Sequence, residues 1–404
     1  MRPLFAFISL VLLLPVKAHA LPHLTIDLDN GQVLSHSQAF DPWHPASLTK
    51  LMTAYVAFRA IETGELSLDH PVRISKAARR QPPSRMGYGV GTAMTLENAL
   101  KLILIKSAND VSHAIAESIS GSVDKFAARM NRDAKALGMT GSRFVNPHGL
   151  HDRRQVTTAR DMAVLVQALH KRYPQYNAWF STPSVLAPSR TKNGKMIKRI
   201  YYSYNLLLER FRGGDGFKTG FVCASGYNFI GSATQGGRRV AAIVLGRDGQ
   251  TSRAVDAAKL ITEGLQFPLT AGTPLAALKP TGTVPQSPRN MRPLMCTEAA
   301  RAARYEPGAG QAVIRSPWLQ ERQVGAKPLT VRLGIPGGGL RLARVPRPTF
   351  RPAIQPTTVA TLIQKTSPAP KPRLLSEPSP APSSAPALAQ NTNGIPLPTF
   401  RPRS

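Results

Sequence analysis

The chain has 404 residues and sets 52 Lys and Arg against 22 Asp and Glu, a net charge of +30. Two cysteines exclude a disulfide scaffold and a Cys-rich metal site, though one bridge into the C-terminal part stays possible. No apolar run past the N-terminus reaches the roughly 18–20 residues a membrane helix needs.

The charge is divided, about +14 on residues 21–270 and +14 on residues 271–404; the second stretch also holds 23 of the 36 prolines and no aspartate. Such a composition buries too little apolar surface to offset ordering entropy. We therefore expect one folded domain over residues 21–270 and a mostly disordered basic tail over 271–404. Residues 1–20 read as a signal peptide: Arg2 gives the positive start, Leu4 to Pro15 the short apolar core, and Ala18-His19-Ala20 the small-x-small cleavage site. That predicts export to a periplasm or cell envelope.

In chain order, Leu24 to Leu28 and Gln32 to Ser35 read as strands joined by Asp29-Asn30-Gly31, a hairpin signal. From Ala46 the period changes, with Leu48, Leu51, Met52 and Tyr55 on one helical face. Thr95 opens another helix, and further helical patterns run over Val111 to Ser120, Val123 to Leu137 and Ala159 to His170. Strand patterns return at Gly216 to Val222, Tyr227 to Ala233 and Val240 to Leu245, before a closing helix over Arg253 to Leu265. Strands at both ends and helices between them predict an α+β fold with one antiparallel sheet, built from both ends and covered by helices. That arrangement brings residues near 47 close to those near 218.

Ser47-Leu48-Thr49-Lys50 puts a hydroxyl and an amine on one helical face, one turn apart. A serine hydroxyl becomes a nucleophile when a neighbouring base takes its proton, and Lys50 is within reach. A lysine serves as that base only if its pKa is depressed, which a second buried cation would do. The spacing alone is unspecific, since Ser122-Val123-Asp124-Lys125 and Ser189-Arg190-Thr191-Lys192 repeat it. Order adds information: Ser107-Ala108-Asn109 follows at the end of an apolar helix, then Lys218-Thr219-Gly220 on a strand. These are the three signatures of the penicillin-binding and serine β-lactamase class in their usual sequence.

With Pro45 to Thr53, Lys106 to Asp110, Phe144 to Leu150, Thr158 to Asp161 and Asp215 to Gly220, residues 22–268 resemble the D-alanyl-D-alanine carboxypeptidase family of low-molecular-mass penicillin-binding proteins. The resemblance implies a β-lactamase/transpeptidase-like fold and no cofactor or metal. It implies a serine peptidase acting on peptidoglycan stem peptides through an acyl-enzyme on Ser47, with β-lactam antibiotics as covalent inhibitors. Lys50 would be the base and Ser107 a proton relay. Asn109 would bind a substrate amide or hold Lys50, Lys218 would supply the second cation, and Thr219 would meet the terminal carboxylate. Gly220 would let the strand approach the peptide, the N–H groups of Ser47 and Phe221 would form the oxyanion hole, and Arg253 would orient the carboxylate. Ser84 and Asn205 coincide with family positions without an evident role.

One departure stands out, since Val222 occupies the place of a usual threonine. It leaves room for endopeptidase action on cross-links. No glutamate motif of the deacylating kind lies between Asn146 and Lys171, which disfavours β-lactamase function. His148 and His151 lack a third metal ligand, Asp161 and Asp215 read as cap and turn residues, and Cys223 as a packed residue. In the tail, Pro348-Thr349-Phe350-Arg351-Pro352 recurs as Pro398-Thr399-Phe400-Arg401-Pro402, and residues 311–345 have the apolar content for a small ordered unit. The tail's charge suits anionic envelope polymers, whereas nothing here resembles a nucleic-acid motif. A non-catalytic wall-binding protein is the alternative outside enzymology.

Overall fold

A computed structural model describes residues 21–191, 193, 195–268, 271–305, 314–323 and 326–335. The expected signal peptide and both copies of the tail repeat lie outside the described residues. Strands run β1 His23–Asp27, β2 Gln32–Ser37, β3 Pro71–Arg73, β4 Ala93–Thr95, β5 Ser184–Arg190, β6 Met196–Tyr202, β7 Gly214–Val222, β8 Gly226–Gln235, β9 Arg238–Arg247, β10 Thr273–Pro274 and β11 Leu329–Thr330. Helices are α1 Thr49–Glu62, α2 Lys76–Arg79, α3 Leu96–Lys101, α4 Asn109–Ser120, α5 Val123–Ala136, α6 Ala159–Arg172, α7 Asn177–Ser181, α8 Leu207–Arg210, α9 Gln250–Gln266, α10 Arg292–Met295 and α11 Glu298–Tyr305.

The main sheet has the order β10-β2-β1-β9-β8-β7, every neighbour antiparallel. It joins both ends of the domain as the sequence predicts, because β1 pairs with β9 from His23↔Val244 to Asp27↔Val240. The central strand β9 is apolar without alternation because both faces are covered. Ala241, Ile243 and Leu245 enter the large core with α1, α4 and α6, whereas Val240, Ala242 and Val244 meet Ala254, Ala257, Ala258 and Ile261 of α9. Those α9 positions follow the helical repeat of one buried stripe.

Helix α1 departs from the amphipathic reading. Its residues from Thr49 to Phe58 are all buried, polar ones included. It runs through the middle of the helical layer, so its apolar character continues around the axis. Strand β7 lies at the sheet edge with β8 on one side only. Alternate N–H and C=O groups along it therefore point away from the sheet.

Beyond α9 the described chain stays on the surface of this domain. Thr273 pairs with Val33, and the Val331 N–H donates to Leu186 O at 2.9 Å beside the parallel β5–β11 pairing. Arg322 forms an ion pair with Glu209 at 2.8 Å, and Leu319 is buried in the α9-side core. Cys296 is disulfide-bonded to Cys223, the bridge the cysteine count left open.

Candidate active site

Ser47 sits in a 3-10 turn, Ala46–Leu48, that leads into α1, and its side chain is only half-buried. The residue before it, Ala46, has φ of 49°, a left-handed conformation that costs a non-glycine residue about 1–2 kcal/mol. The surroundings hold it there. Asn228 Nδ2 donates to His44 O at 2.8 Å and Pro45 O at 3.1 Å. Gly149, itself at φ +84°, approaches so closely that a Cβ would lie 1.7 Å from Ala46 O. A Cβ at Gly220 on β7 would lie 3.0 Å from both Pro45 O and Ser47 N. Gly149→Ala combines a clash with an unfavourable φ and is expected to destabilise the chain by about 2–4 kcal/mol. Thermal denaturation should register this as a fall of roughly 5–15 °C.

One turn along α1, Lys50 is fully buried and its Nζ has three neighbours: Ser47 Oγ at 2.9 Å, Asn109 Oδ1 at 2.7 Å and His148 O at 2.7 Å. Burial, followed by the charge of Lys218, holds its pKa well below the ordinary lysine value, with Asp110 opposing. A neutral amine has two N–H donors and one lone pair. Asn109 Oδ1 and His148 O can accept only, so they take the two N–H groups. In its neutral form Lys50 would then turn its lone pair to the Ser47 hydroxyl, the arrangement a general base requires.

The second cation expected from sequence is present. Lys218 is buried on β7, its Nζ donating to Thr219 O at 3.0 Å, with its pKa lowered to about 7 by burial and then by Arg253 and Lys106. Thr219 is buried beside it and Phe221 half-buried beyond, its ring 4.4 Å from that of Tyr227. Arg253 lies behind the strand. Its Nη1 donates to Gly220 O at 3.3 Å and Asn228 O at 3.2 Å, its Nη2 to Tyr204 O at 3.4 Å. These bonds make Arg253 a brace for β7, from which its charge reaches Lys218.

Ser107 ends a π-helical turn, Leu102–Lys106, at φ 64°, a type of helix irregularity frequent at functional sites. It lies two residues before Asn109, which accepts from Lys50. The amide of Asn109 is fixed at both ends, because its Nδ2 donates to Pro82 O at 2.9 Å while Oδ1 accepts from Lys50. Of the two roles open to it, holding the lysine is the one this geometry supports. Ser84 gains a role: its Oγ donates to Lys106 O at 3.0 Å and its carbonyl accepts the Asn109 N–H at 2.7 Å. Asn205 likewise donates to Gly216 O at 3.0 Å and anchors the start of the Lys218 segment.

Asp110 and Gln155 were given no role from sequence, and His148, weighed there for a metal pair, contributes through its main chain. Asp110 accepts the N–H groups of Met86 and Gly87, Gln155 Nε2 donates to Thr49 Oγ1 at 2.9 Å, and the His148 main-chain carbonyl receives Lys50. The His148 ring, buried and close to Lys50, has a pKa well below the usual histidine value, while Nδ1 accepts the Leu150 N–H. Asp161 accepts from Gly141 N and Ser142 Oγ, and Asp215 from Ser232 and Thr234 hydroxyls and Arg239. Both are structural acceptors away from Ser47's partners. The Val222 N–H donates to Ser225 Oγ at 3.2 Å inside the β7–β8 turn.

Comparison with known proteins gives this geometry a context. Residues 14–249 match the family model described as D-alanyl-D-alanine carboxypeptidase. The D-alanyl-D-alanine carboxypeptidase DacC of Escherichia coli (strain K12) is 34% identical over 255 residues, 60% of each chain. DacF of Bacillus subtilis (strain 168) is 33% identical over 236 residues, 58% of this chain and 59% of that one. The chain thus spans about three fifths of the length of these curated relatives. Among solved structures, DacD of Francisella tularensis superposes with a TM-score of 0.58 at 28% identity, covering 66% of this chain and 72% of the other. Penicillin-Binding Protein D2 of Listeria monocytogenes in its cefotaxime-bound form gives 0.53 at 30% identity, covering 61% and 98%. The serine turn, the paired lysines and the edge strand lie within the matched region, and on these grounds the chain belongs to the D-alanyl-D-alanine carboxypeptidase family.

Proposed function

We propose that the protein is an exported serine peptidase that removes the terminal D-alanine from peptidoglycan stem pentapeptides through an acyl-enzyme on Ser47. The observation that carries this reading is the buried Lys50 amine, held well below the ordinary lysine pKa, with its Nζ 2.9 Å from Ser47 Oγ. In the first step the Ser47 proton passes to Lys50 Nζ as Oγ attacks the carbonyl carbon of the penultimate D-alanine. The developing oxyanion is received by the N–H groups of Ser47 and Phe221, the former in the first turn of a helix where donors lack intrahelical partners. The C–N bond breaks, and the proton held by Lys50 passes through Ser107 to the leaving amine of D-alanine. Water then attacks the ester, Lys50 again taking the proton, and Ser47 is regenerated.

The substrate lies as an added strand on the open edge of β7, which is why Gly220 carries no side chain toward the turn. Its carboxylate meets Lys218 and Thr219, with Arg253 adding positive potential from behind. A β-lactam carbonyl occupies the same place, as fits the cefotaxime-bound state of the Listeria protein. Incubation with a fluorescent penicillin should label the chain on the peptide containing Ser47, and the purified protein should release D-alanine from pentapeptides. Cross-linked muropeptides included in the same digest separate carboxypeptidase from endopeptidase action, to which Val222 is relevant because it offers the substrate no hydroxyl. Release of D-alanine without acylation of Ser47 would refute the mechanism.

Lys218→Gln removes a positive neighbour from Lys50. With that charge gone the protonated form of Lys50 is less disfavoured, its pKa rises, and less of it is neutral at a given pH. The acidic limb of the acylation rate against pH should therefore move to higher pH, measured with a chromogenic cephalosporin. A limb that stays in place or moves down would contradict the coupling.

A further inference from the structure

The reaction proposed above fixes the direction of the peptide. With the carboxylate at Lys218 and Thr219 and the scissile carbonyl at the Phe221 N–H, the residues preceding the two D-alanines run toward Val222 and Cys223. That end of β7 is not open. Cys223 is bonded to Cys296, 73 residues later in sequence, with their Cα atoms 5.6 Å apart. The Met291 N–H donates to Ala224 O at 3.0 Å, in the turn that follows β7.

Helix α10 is held by Met291 and Met295, four residues apart and 4% and 6% exposed. Between these anchors Arg292, Pro293 and Leu294 face outward, Leu294 at 58% exposure. Arg292 is near enough to His151 to help lower its pKa, after burial and the neighbouring His44. His151 packs edge-on against His44 with ring centres 4.8 Å apart, and His44 lies three residues before Ser47. Asp152, itself ion-paired with Arg154 at 2.8 Å, acts on His151 in the opposite direction and Arg153 in the same one, so the charge around this lip is positive on balance. A lip of that sign attracts a carboxylate.

We propose that residues 291–296, fixed by the Cys223–Cys296 bridge, form the wall of the subsite for stem residues preceding the two D-alanines, with Arg292 selecting an acidic side chain there. The inference rests on the reaction assigned to Ser47. It gives the C-terminal segment a place in substrate recognition and makes Arg292 a specificity-determining residue.

The test uses the full oxidised chain and three substrates: an N-acetylated D-Ala-D-Ala dipeptide, and two pentapeptides with glutamate or glutamine preceding the two D-alanines. Wild-type protein should show a kcat/KM about 5-fold higher for the glutamate peptide, near the upper end for a partly exposed ion pair. Arg292→Glu should invert that preference, Arg292→Lys should retain most of it, and the paired Cys223→Ser, Cys296→Ser chain should lose it. In all three, dipeptide turnover and penicillin labelling should stay within about twofold of wild type. An active wild type without the preference, or a preference unmoved by Arg292→Glu and by loss of the bridge, overturns the subsite alone. A wild-type chain that hydrolyses none of the substrates overturns the Ser47 reaction, and the subsite with it.

Discussion

A Ser47→Ala chain should take no penicillin label and release D-alanine only at the background rate, a fall on the order of 10⁶-fold as for other serine peptidases that lose the nucleophile. Among the described residues, the hydroxyl hydrogen-bonded to Lys50 Nζ is that of Ser47. Of the three groups around Lys50 Nζ, Ser47 Oγ alone carries a proton to give, since Asn109 Oδ1 and His148 O only accept. The fold should be unaffected, because Ser47 is half-buried and its side-chain bond goes to Lys50 alone, which keeps two others. Mass spectrometry of the penicillin-treated protein and a D-alanine oxidase assay read the chemistry, while an unchanged melting temperature shows that the fold was not the cause. Residual labelling in this chain would move the nucleophile elsewhere.

Lys50→Met tests the base. A positioned general base contributes about 10²–10⁴-fold, so acylation should fall by that factor. The pH profile provides a second readout. Wild-type acylation should rise as Lys50 loses its proton, over a range set by a pKa well below that of a free lysine. Without the amine this limb should disappear. The variant should also be less stable, because Asn109 Oδ1 and His148 O are left buried without their donor, at about 1–3 kcal/mol each. An intact acidic limb in Lys50→Met would assign the proton transfer to another group.

Much of the site was legible in the sequence because its chemistry depends on spacing. Ser47 and Lys50 are one helical turn apart whatever surrounds them, and a second cation was required on the argument that a base lysine needs one nearby, a place the family resemblance gave to Lys218. The sheet was legible from where the period-2 segments fall. What was not legible depends on contacts between distant segments. Gly149 reads as a loop glycine until its approach to Ala46 O is seen, and Gln155 and Asp110 act through main-chain groups that no side-chain pattern reveals. Arg253 was expected to orient the substrate carboxylate, and no spacing reveals that its guanidinium also reaches the main-chain carbonyls of Gly220 and Asn228. The proline-rich composition after residue 270 predicts a mostly disordered tail. It does not reveal that pieces of that backbone dock on the domain through Met291, Leu319 and Val331.

The pairing of β1 with β9 has a consequence for biosynthesis. More than two hundred residues separate His23 from its partner Val244, so the sheet is closed only when nearly the whole domain is available. Long-range closure of this kind is slow, because loop entropy must be overcome before the pairing is gained. Until β9 arrives, β8 and β7 have no platform, and Lys218 has no fixed distance from Lys50. A growing polypeptide therefore carries the serine and its neighbouring lysine long before the second lysine is held near them, and the assembled site arrives as one of the last events of its maturation.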